Sequence, residues 1–242
     1  MDSLTAIILA GGLGTRLRAI HPECPKPMVP VSGRPFIEYL VRYLIEQGIA
    51  RIVISTGYLS EQIEAHFRNV SFQVPIRCVR ETAALGTGGA LINVLSTMSL
   101  EQWVLAANGD SIAAFDLREM MARARAGVDG VILGVETEEA ERYGGLSMDA
   151  DGLLTAFREK DKSDSSALIN GGIYLLRRDL MPRETPSRPV SLEEQCIPEW
   201  LRLGKRIAVV RGTGPFIDIG TPESLSGAAQ FIARSGLFPM LG

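Results

Sequence analysis

Residues 5–17 read TAIILAGGLGTRL: an apolar run closed by two glycines, then a third glycine, Thr15, Arg16 and Leu17. Unbroken rather than alternating hydrophobicity suits a strand covered on both faces, the habit of parallel sheets. In an open parallel sheet, ligands bind beyond the carboxyl ends of the strands, where this loop must lie. Its glycines let the backbone approach a ligand closely and turn N–H groups toward an anion, while Arg16 adds a fixed positive charge. Two familiar phosphate loops do not fit. The dinucleotide fingerprint wants glycine where Leu17 stands, and a Walker A loop wants Gly-Lys-Ser/Thr, which the chain lacks.

Outward from this stretch, strands and helices alternate. Residues 35–48, PFIEYLVRYLIEQG, set Phe36, Tyr39, Leu40, Tyr43 and Leu44 at helical spacing, with Pro35 at the start and Gly48 as a stop. RIVIST (51–56), IRCVRE (76–81) and WVLAAN (103–108) read as strands, with SEQIEAHF and GTGGALINVLSTM as helices between them. This alternation implies parallel pairing through right-handed crossovers, a Rossmann-like doubly wound α/β sheet. Past residue 127 the texture turns β-rich. GVILGVE, YGGLSMDADGLLTAFREK and ALINGGIYLLR read as strands, with a hairpin turn at Asp149–Gly152. Helices then begin at Ser191 and at Thr221-Pro222-Glu223, and 181–190 reads as a loop. No linker tract divides the halves, so the sheet is expected to be mixed and the chain one unit.

Composition excludes several classes. With 46% hydrophobic residues the chain can offset its ordering entropy, so it is not disordered. Basic residues number 25 against 28 acidic ones, a net charge of −3 that excludes a duplex nucleic acid as main partner. Cys24, Cys78 and Cys196 form no CxxC pair, which reads as a reducing, cytoplasmic setting. The N-terminus lacks a basic n-region and no apolar run reaches the ~18–20 residues of a membrane span, so no membrane association is expected. His21 and His66, the only histidines, lie in no nucleophile or zinc pattern. Pro25-Lys26-Pro27 is more informative: two prolines stiffen the backbone around a lysine close to the glycine loop, a second candidate phosphate contact.

Together, LAGGLGTRL and PKPMVPVSGRPFIEY resemble the signature of the sugar-phosphate nucleotidyltransferases, the NDP-sugar pyrophosphorylases. Further blocks resemble that family in its order. Glu81 with Leu85-Gly86-Thr87-Gly88-Gly89 is similar to the base-reading segment, and Asn108-Gly109-Asp110 to the metal-binding turn. Tyr143-Gly144, Glu159-Lys160 and Asn170-Gly171-Gly172 resemble the sugar-phosphate pocket, and Phe216 to Glu223 the late aspartate motif.

The resemblance implies a single nucleotidyltransferase domain over 1–242, with a nucleotide-binding portion at 1–127 and a β-rich sugar-phosphate-binding portion at 128–242. It implies an enzyme in which a sugar 1-phosphate oxygen attacks the α-phosphorus of a nucleoside triphosphate and expels pyrophosphate. Such a displacement needs charge neutralisation and positioning more than covalent help. Arg16 would then hold the departing phosphates, backed by Ala10, Gly11, Gly12, Gly14 and Thr15. Lys26 would bridge the α-phosphate and the attacking phosphate, and Asp110 and Asp218 would hold Mg²⁺. Glu81, Gly86, Thr87 and Gly88 would contact the nucleoside, and Gly144, Glu159, Lys160 and Asn170 the sugar phosphate, Asn170 from a strand adjoining that of Glu159 and Lys160.

Glu81 bears on the base, because an acceptor-only carboxylate suits the N1–H and N2–H₂ edge of guanine. The ExxxLGTGGA form and the FIDIGTPE ending look most similar to the D-glycero-α-D-manno-heptose 1-phosphate guanylyltransferases, which make an activated sugar for surface glycans such as lipopolysaccharide or capsule. Uridylyl- or thymidylyltransferases acting on other sugar 1-phosphates stay open. So do mannose-1-phosphate guanylyltransferases, although these usually carry an extra C-terminal domain and only one helix and a tail are expected after Thr221. A catalytically silent, nucleotide-sugar-binding regulatory subunit is a different class of answer; keeping Arg16, Lys26, Asp110 and Asp218 argues for an enzyme. The chain departs from the family at Ala19, where proline is common, and at Phe216, where tryptophan is frequent. Helix 35–47 could also offer a self-association surface for a homo-oligomer.

Overall fold

A computed structural model describes residues 4–137, 143–158 and 168–238. Its first half runs β1 (Thr5–Ala10), a one-turn α1 (Thr15–Arg18), a 3-10 turn at Lys26–Met28, β2 (Pro30–Val31), β3 (Arg34–Pro35), α2 (Phe36–Glu46), β4 (Arg51–Thr56) and α3 (Ser60–Asn69). Then come β5 (Ile76–Arg80), α4 (Gly86–Thr97), β6 (Trp103–Asn108), β7 (Ser111–Ala113) and α5 (Leu117–Arg125). The second half holds β8 (Gly130–Glu136), β9 (Gly145–Met148), β10 (Leu154–Arg158) and the long β11 (Leu168–Arg177). A π-helical turn at Leu192–Cys196 leads into α6 (Ile197–Arg202), followed by β12 (Ile207–Arg211), β13 (Phe216–Asp218) and α7 (Pro222–Arg234).

The glycine-tipped strand lies at the middle of the main sheet. β5, β4, β1 and β6 are parallel neighbours, with Ile8 level with Ile54 on one side and Ala107 on the other. β11 then runs antiparallel to β6 and to β8, and β12 is parallel to β8. The start of β11 also meets β9, which pairs with β10. A mixed sheet therefore runs without a break across residue 127, and β11 is the strand that joins its parallel and antiparallel parts.

Alternate residues of β1 serve two cores. Ala6, Ile8 and Ala10 pack with α2, α3, α5 and α7, while Ile7 packs with α4 and α6 on the opposite face. This double coverage is the physical reason the run is apolar throughout. The sequence reading contained neither β12 nor α5. α5 is begun by Asp116, whose carboxylate accepts from the Arg118 amide at 2.8 Å. Among the described residues, no helix is long and apolar enough to cross a membrane.

One expectation is overturned. α2 is not a free surface for self-association, because eight of its eleven residues are buried within the chain. Its Tyr43 hydroxyl accepts from the Phe115 amide at 2.9 Å, and Phe238 packs edge-on against Tyr39 and Tyr43. The only charge buried in α2, Glu38, is 3% exposed and meets Arg34, Arg42 and His66 at 2.7–3.0 Å. Burial alone would raise its carboxyl pKa, but hydrogen bonds from Arg42 and Arg34 outweigh that and hold it below the usual range. A depressed folded pKa contributes stability above the unfolded value, and this is lost as pH falls through the folded value. Glu38→Gln should therefore cost about 1–3 kcal/mol at neutral pH, with urea unfolding of the two proteins converging in acid. A constant gap down to low pH would contradict this assignment.

Candidate active site

Between β1 and β6 the order of connections reverses, so a crevice opens at the carboxyl ends of these strands. A cleft of about 550 Å³ lies there. Its walls are the loop after β1, the Lys26–Pro27 turn, Glu81 with the Leu85–Thr87 turn, and the Asn108–Asp110 turn, closed by Pro189 and Gly220. The chain thus brings together Ala10, Gly11, Gly12, Gly14, Thr15, Arg16, Lys26, Glu81, Gly86, Thr87 and Asp110 of the residues singled out above.

Gly14 takes a left-handed φ of 56°, and a Cβ there would lie 2.9 Å from the Lys26 Cβ. Only glycine lets the loop fold this tightly onto the lysine. Lys26 itself opens a 3-10 turn between two buried prolines, so its stem is held from both sides. Its Nζ donates to Asp110 Oδ2. The second aspartate arrives by strand pairing: β13 runs antiparallel to β7 with Asp218 opposite Ser111, and the Ile219 amide donates to the Asp110 carbonyl at 2.9 Å. A Cβ on Gly220 would stand 2.5 Å from Asp218 Oδ1 and 3.3 Å from Lys26 Nζ. Asp218 therefore borders the same corner, although it does not line the cleft itself. Among the described residues no group of three or more His, Cys, Asp or Glu side chains forms a metal cage.

Also in the cleft wall, Glu81 is 8% exposed and its carboxylate packs against Gly11. Ser55 Oγ donates to its Oε1 at 3.1 Å and the Leu85 amide to its Oε2 at 3.2 Å. Burial pushes this carboxyl up, against the lowering effect of those two hydrogen bonds.

Other expected residues stand elsewhere. Gly88 does not line the cleft: its amide donates to the Val190 carbonyl at 2.9 Å, and Cys196 and Leu192 crowd its Cα. Gly144 and Asn170 meet each other, the Asn170 amide donating to the Gly144 carbonyl at 3.0 Å, but neither lines the cleft. Asn170 already spends one side-chain donor on Tyr174 Oη (2.6 Å) and accepts from the Gly172 amide (3.1 Å), so only part of its capacity is left for a sugar. Glu159 and Lys160 lie outside the described residues. The strand that leads to them, β10, does not adjoin β11 as expected; β9 stands between, with Gly145 level with both Arg158 and Ile169. The sequence reading missed Asn108, Pro189 and Gly220 as lining groups. For Pro189 no local signal exists, since its neighbour Val190 is tied by a hydrogen bond to Leu85, about a hundred residues earlier in the chain.

A glycine loop, two cations and two carboxylates at the switch point of a doubly wound sheet define a protein that handles a phosphorylated nucleoside. The chain belongs to the nucleotidyl transferase family, whose model matches residues 5–235. It is 35% identical over 221 residues to the D-glycero-alpha-D-manno-heptose 1-phosphate guanylyltransferase of Campylobacter jejuni, covering 91% of this chain and 96% of that one. To the enzyme of the same name from Aneurinibacillus thermoaerophilus it is 37% identical, covering 91% and 94%. Among solved structures it is similar to HddC from Yersinia pseudotuberculosis complexed with GMP-PN, with 31% identity, a TM-score of 0.81 and coverage of 94% and 98%.

Proposed function

We propose that this protein transfers GMP from GTP to a sugar 1-phosphate, foremost D-glycero-α-D-manno-heptose 1-phosphate, yielding a GDP-sugar and pyrophosphate. The carrying observation is that one cleft is lined by Arg16, Lys26 and Asp110 together with the buried Glu81 carboxylate. The relatives named above support the choice of base and sugar. Residues 1–127 supply most of the nucleotide-binding portion and 128–242 the sugar-phosphate portion, in a cytoplasmic enzyme that makes an activated sugar for lipopolysaccharide or capsule.

In this reading an oxygen of the sugar 1-phosphate attacks the α-phosphorus in line, and the bond to the β-phosphate oxygen breaks as pyrophosphate leaves. Arg16, exposed at the lip, takes the β- and γ-phosphates together with amides of the Gly11–Thr15 loop. Lys26 stands between the two reacting phosphates and lowers the repulsion of two anions brought together. Gly144, Glu159, Lys160 and Asn170 hold the sugar phosphate. Asp110 and Asp218 are hard oxygen donors converging beside Lys26, a set that suits Mg²⁺, which binds through one or two carboxylates with the remaining positions left to substrate phosphates and water. The ion, when bound, neutralises charge on the phosphates.

Glu81 sets the base. Each of its oxygens holds one donor from the chain and keeps a lone pair for guanine N1–H and N2–H₂; uracil and thymine offer one N–H between two acceptors. A matrix of GTP, ATP, CTP, UTP and dTTP against several sugar 1-phosphates, read by pyrophosphate release, tests both choices; turnover with UTP or dTTP in place of GTP would overturn the guanine reading. Glu81→Gln should erode the GTP-to-UTP ratio of kcat/KM by about tenfold or more. Because burial raises its pKa, the ionised form is lost as pH falls through a value above the ordinary carboxylate range. The GTP preference should therefore decline on the acid side, and this limb should vanish in Glu81→Gln.

A further inference from the structure

Three hydroxyl groups converge on the carboxylate of Glu193, a half-buried residue in the π-helical turn before α6. Tyr174 Oη donates to Oε1 at 2.8 Å; Thr87 Oγ1 and Ser191 Oγ donate to Oε2 at 2.6 and 3.1 Å. The direction of each bond is fixed by what the hydroxyl accepts in turn. Tyr174 accepts from the Asn170 amide group, Thr87 from the Leu192 N–H and Ser191 from the Glu194 N–H. Each hydroxyl proton is thus directed at a Glu193 oxygen, one at Oε1 and two at Oε2.

The network crosses the molecule. Thr87 lines the cleft beside the base-reading turn, whereas Tyr174 is fully buried on β11 and holds Asn170, the neighbour of Gly144. The segment carrying Glu193 is also strapped to that turn: the Val190 amide donates to the Leu85 carbonyl at 2.7 Å, and a Cβ on Gly86 would come within 2.6 Å of the Val190 oxygen.

We propose that Glu193 is a positioning residue that holds the Leu85–Thr87 turn on the nucleoside side in register with β11 on the sugar side. The proposal rests on the nucleotidyl-transfer reading of the cleft. Its test is steady-state kinetics, each substrate varied at saturating co-substrate, on Glu193→Gln and Tyr174→Phe, well below the melting temperature of each. Glu193→Gln sets an amide N–H₂ against hydroxyls already committed as donors, and should raise KM for GTP about tenfold with kcat within about threefold. Tyr174→Phe keeps the core volume, releases Asn170 and leaves Glu193 its two donors from Thr87 and Ser191, and should raise KM for the sugar 1-phosphate about fivefold with a smaller rise, within about threefold, in KM for GTP. A merely structural role lowers the melting temperature of both and leaves both KM values unchanged, which would overturn the proposal. Should Glu193→Gln not fold, Tyr174→Phe decides alone, an unchanged sugar KM being the contrary result. A parent enzyme that uses UTP and not GTP removes the guanine reading but leaves this test intact, with UTP as the varied substrate.

Discussion

Lys26→Ala is expected to lower kcat/KM for nucleotidyl transfer about a thousandfold, on the order of 4 kcal/mol of lost transition-state stabilisation. On the proposed mechanism two like-charged phosphates must approach to bonding distance, and Lys26 is assigned to the corner where they would meet. Its stem is fixed by buried Pro25 and Pro27 and by contact with Gly14, so the charge is aligned before substrate arrives. The Asp110 partner keeps the lysine pointed into the cleft. Arginine is expected to be a poor substitute, since a planar guanidinium spreads over several donors the charge that an ammonium presents at one point, so Lys26→Arg should recover little. The ion pair is partly exposed and contributes at most about 1 kcal/mol to stability, so both variants should melt near the parent temperature. An unchanged kcat/KM in folded Lys26→Ala would end its assignment between the phosphates.

If Asp110 and Asp218 hold a divalent cation as proposed, Asp110→Ala and Asp218→Ala should each lower turnover by about a thousandfold or more in a protein that still folds. The two carboxylates come from distant parts of the chain and are joined by the β7–β13 pairing and the Ile219–Asp110 hydrogen bond. Neither can stand in for the other, because the described residues assemble no third carboxylate beside them. Excess EDTA should reproduce both variants. Full activity in either variant, or in EDTA, would remove the metal assignment. Asp110→Ala also leaves the Lys26 ammonium without its carboxylate, so its loss should slightly exceed that of Asp218→Ala.

Much of this geometry was legible along the chain because it is local. A continuous apolar run ending in glycine gives β1 and its loop, and the prolines around Lys26 state the stiffness that the 3-10 turn realises. Where structure depends on distant partners, the reading failed. α5 is short and carries three arginines, and its narrow buried stripe of Leu117, Met120 and Ala124 is introduced only by Asp116. Helical spacing in α2 told that one face was apolar but not that Phe115 and Phe238 would cover it. Gly88 sits in a motif whose glycines looked alike, yet its amide serves the strap at Val190. Ser191 and Glu194 were readable as a helix start, whereas the function of Glu193 depends on Tyr174 and Thr87, far away in sequence.

β11 also sets an order of assembly. During synthesis the parallel strands β1, β4, β5 and β6 can pair once residue 108 has emerged, but β6 keeps an open edge until Arg177 follows it. The cleft is later still, because Pro189 and Gly220 complete its walls. A nascent chain therefore carries an unprotected central strand over about seventy residues of translation, the kind of exposed edge that invites mispairing. Nucleotide bound at that stage would meet a cleft that still lacks its Pro189 and Gly220 walls, so its stabilising effect is full only on the finished chain.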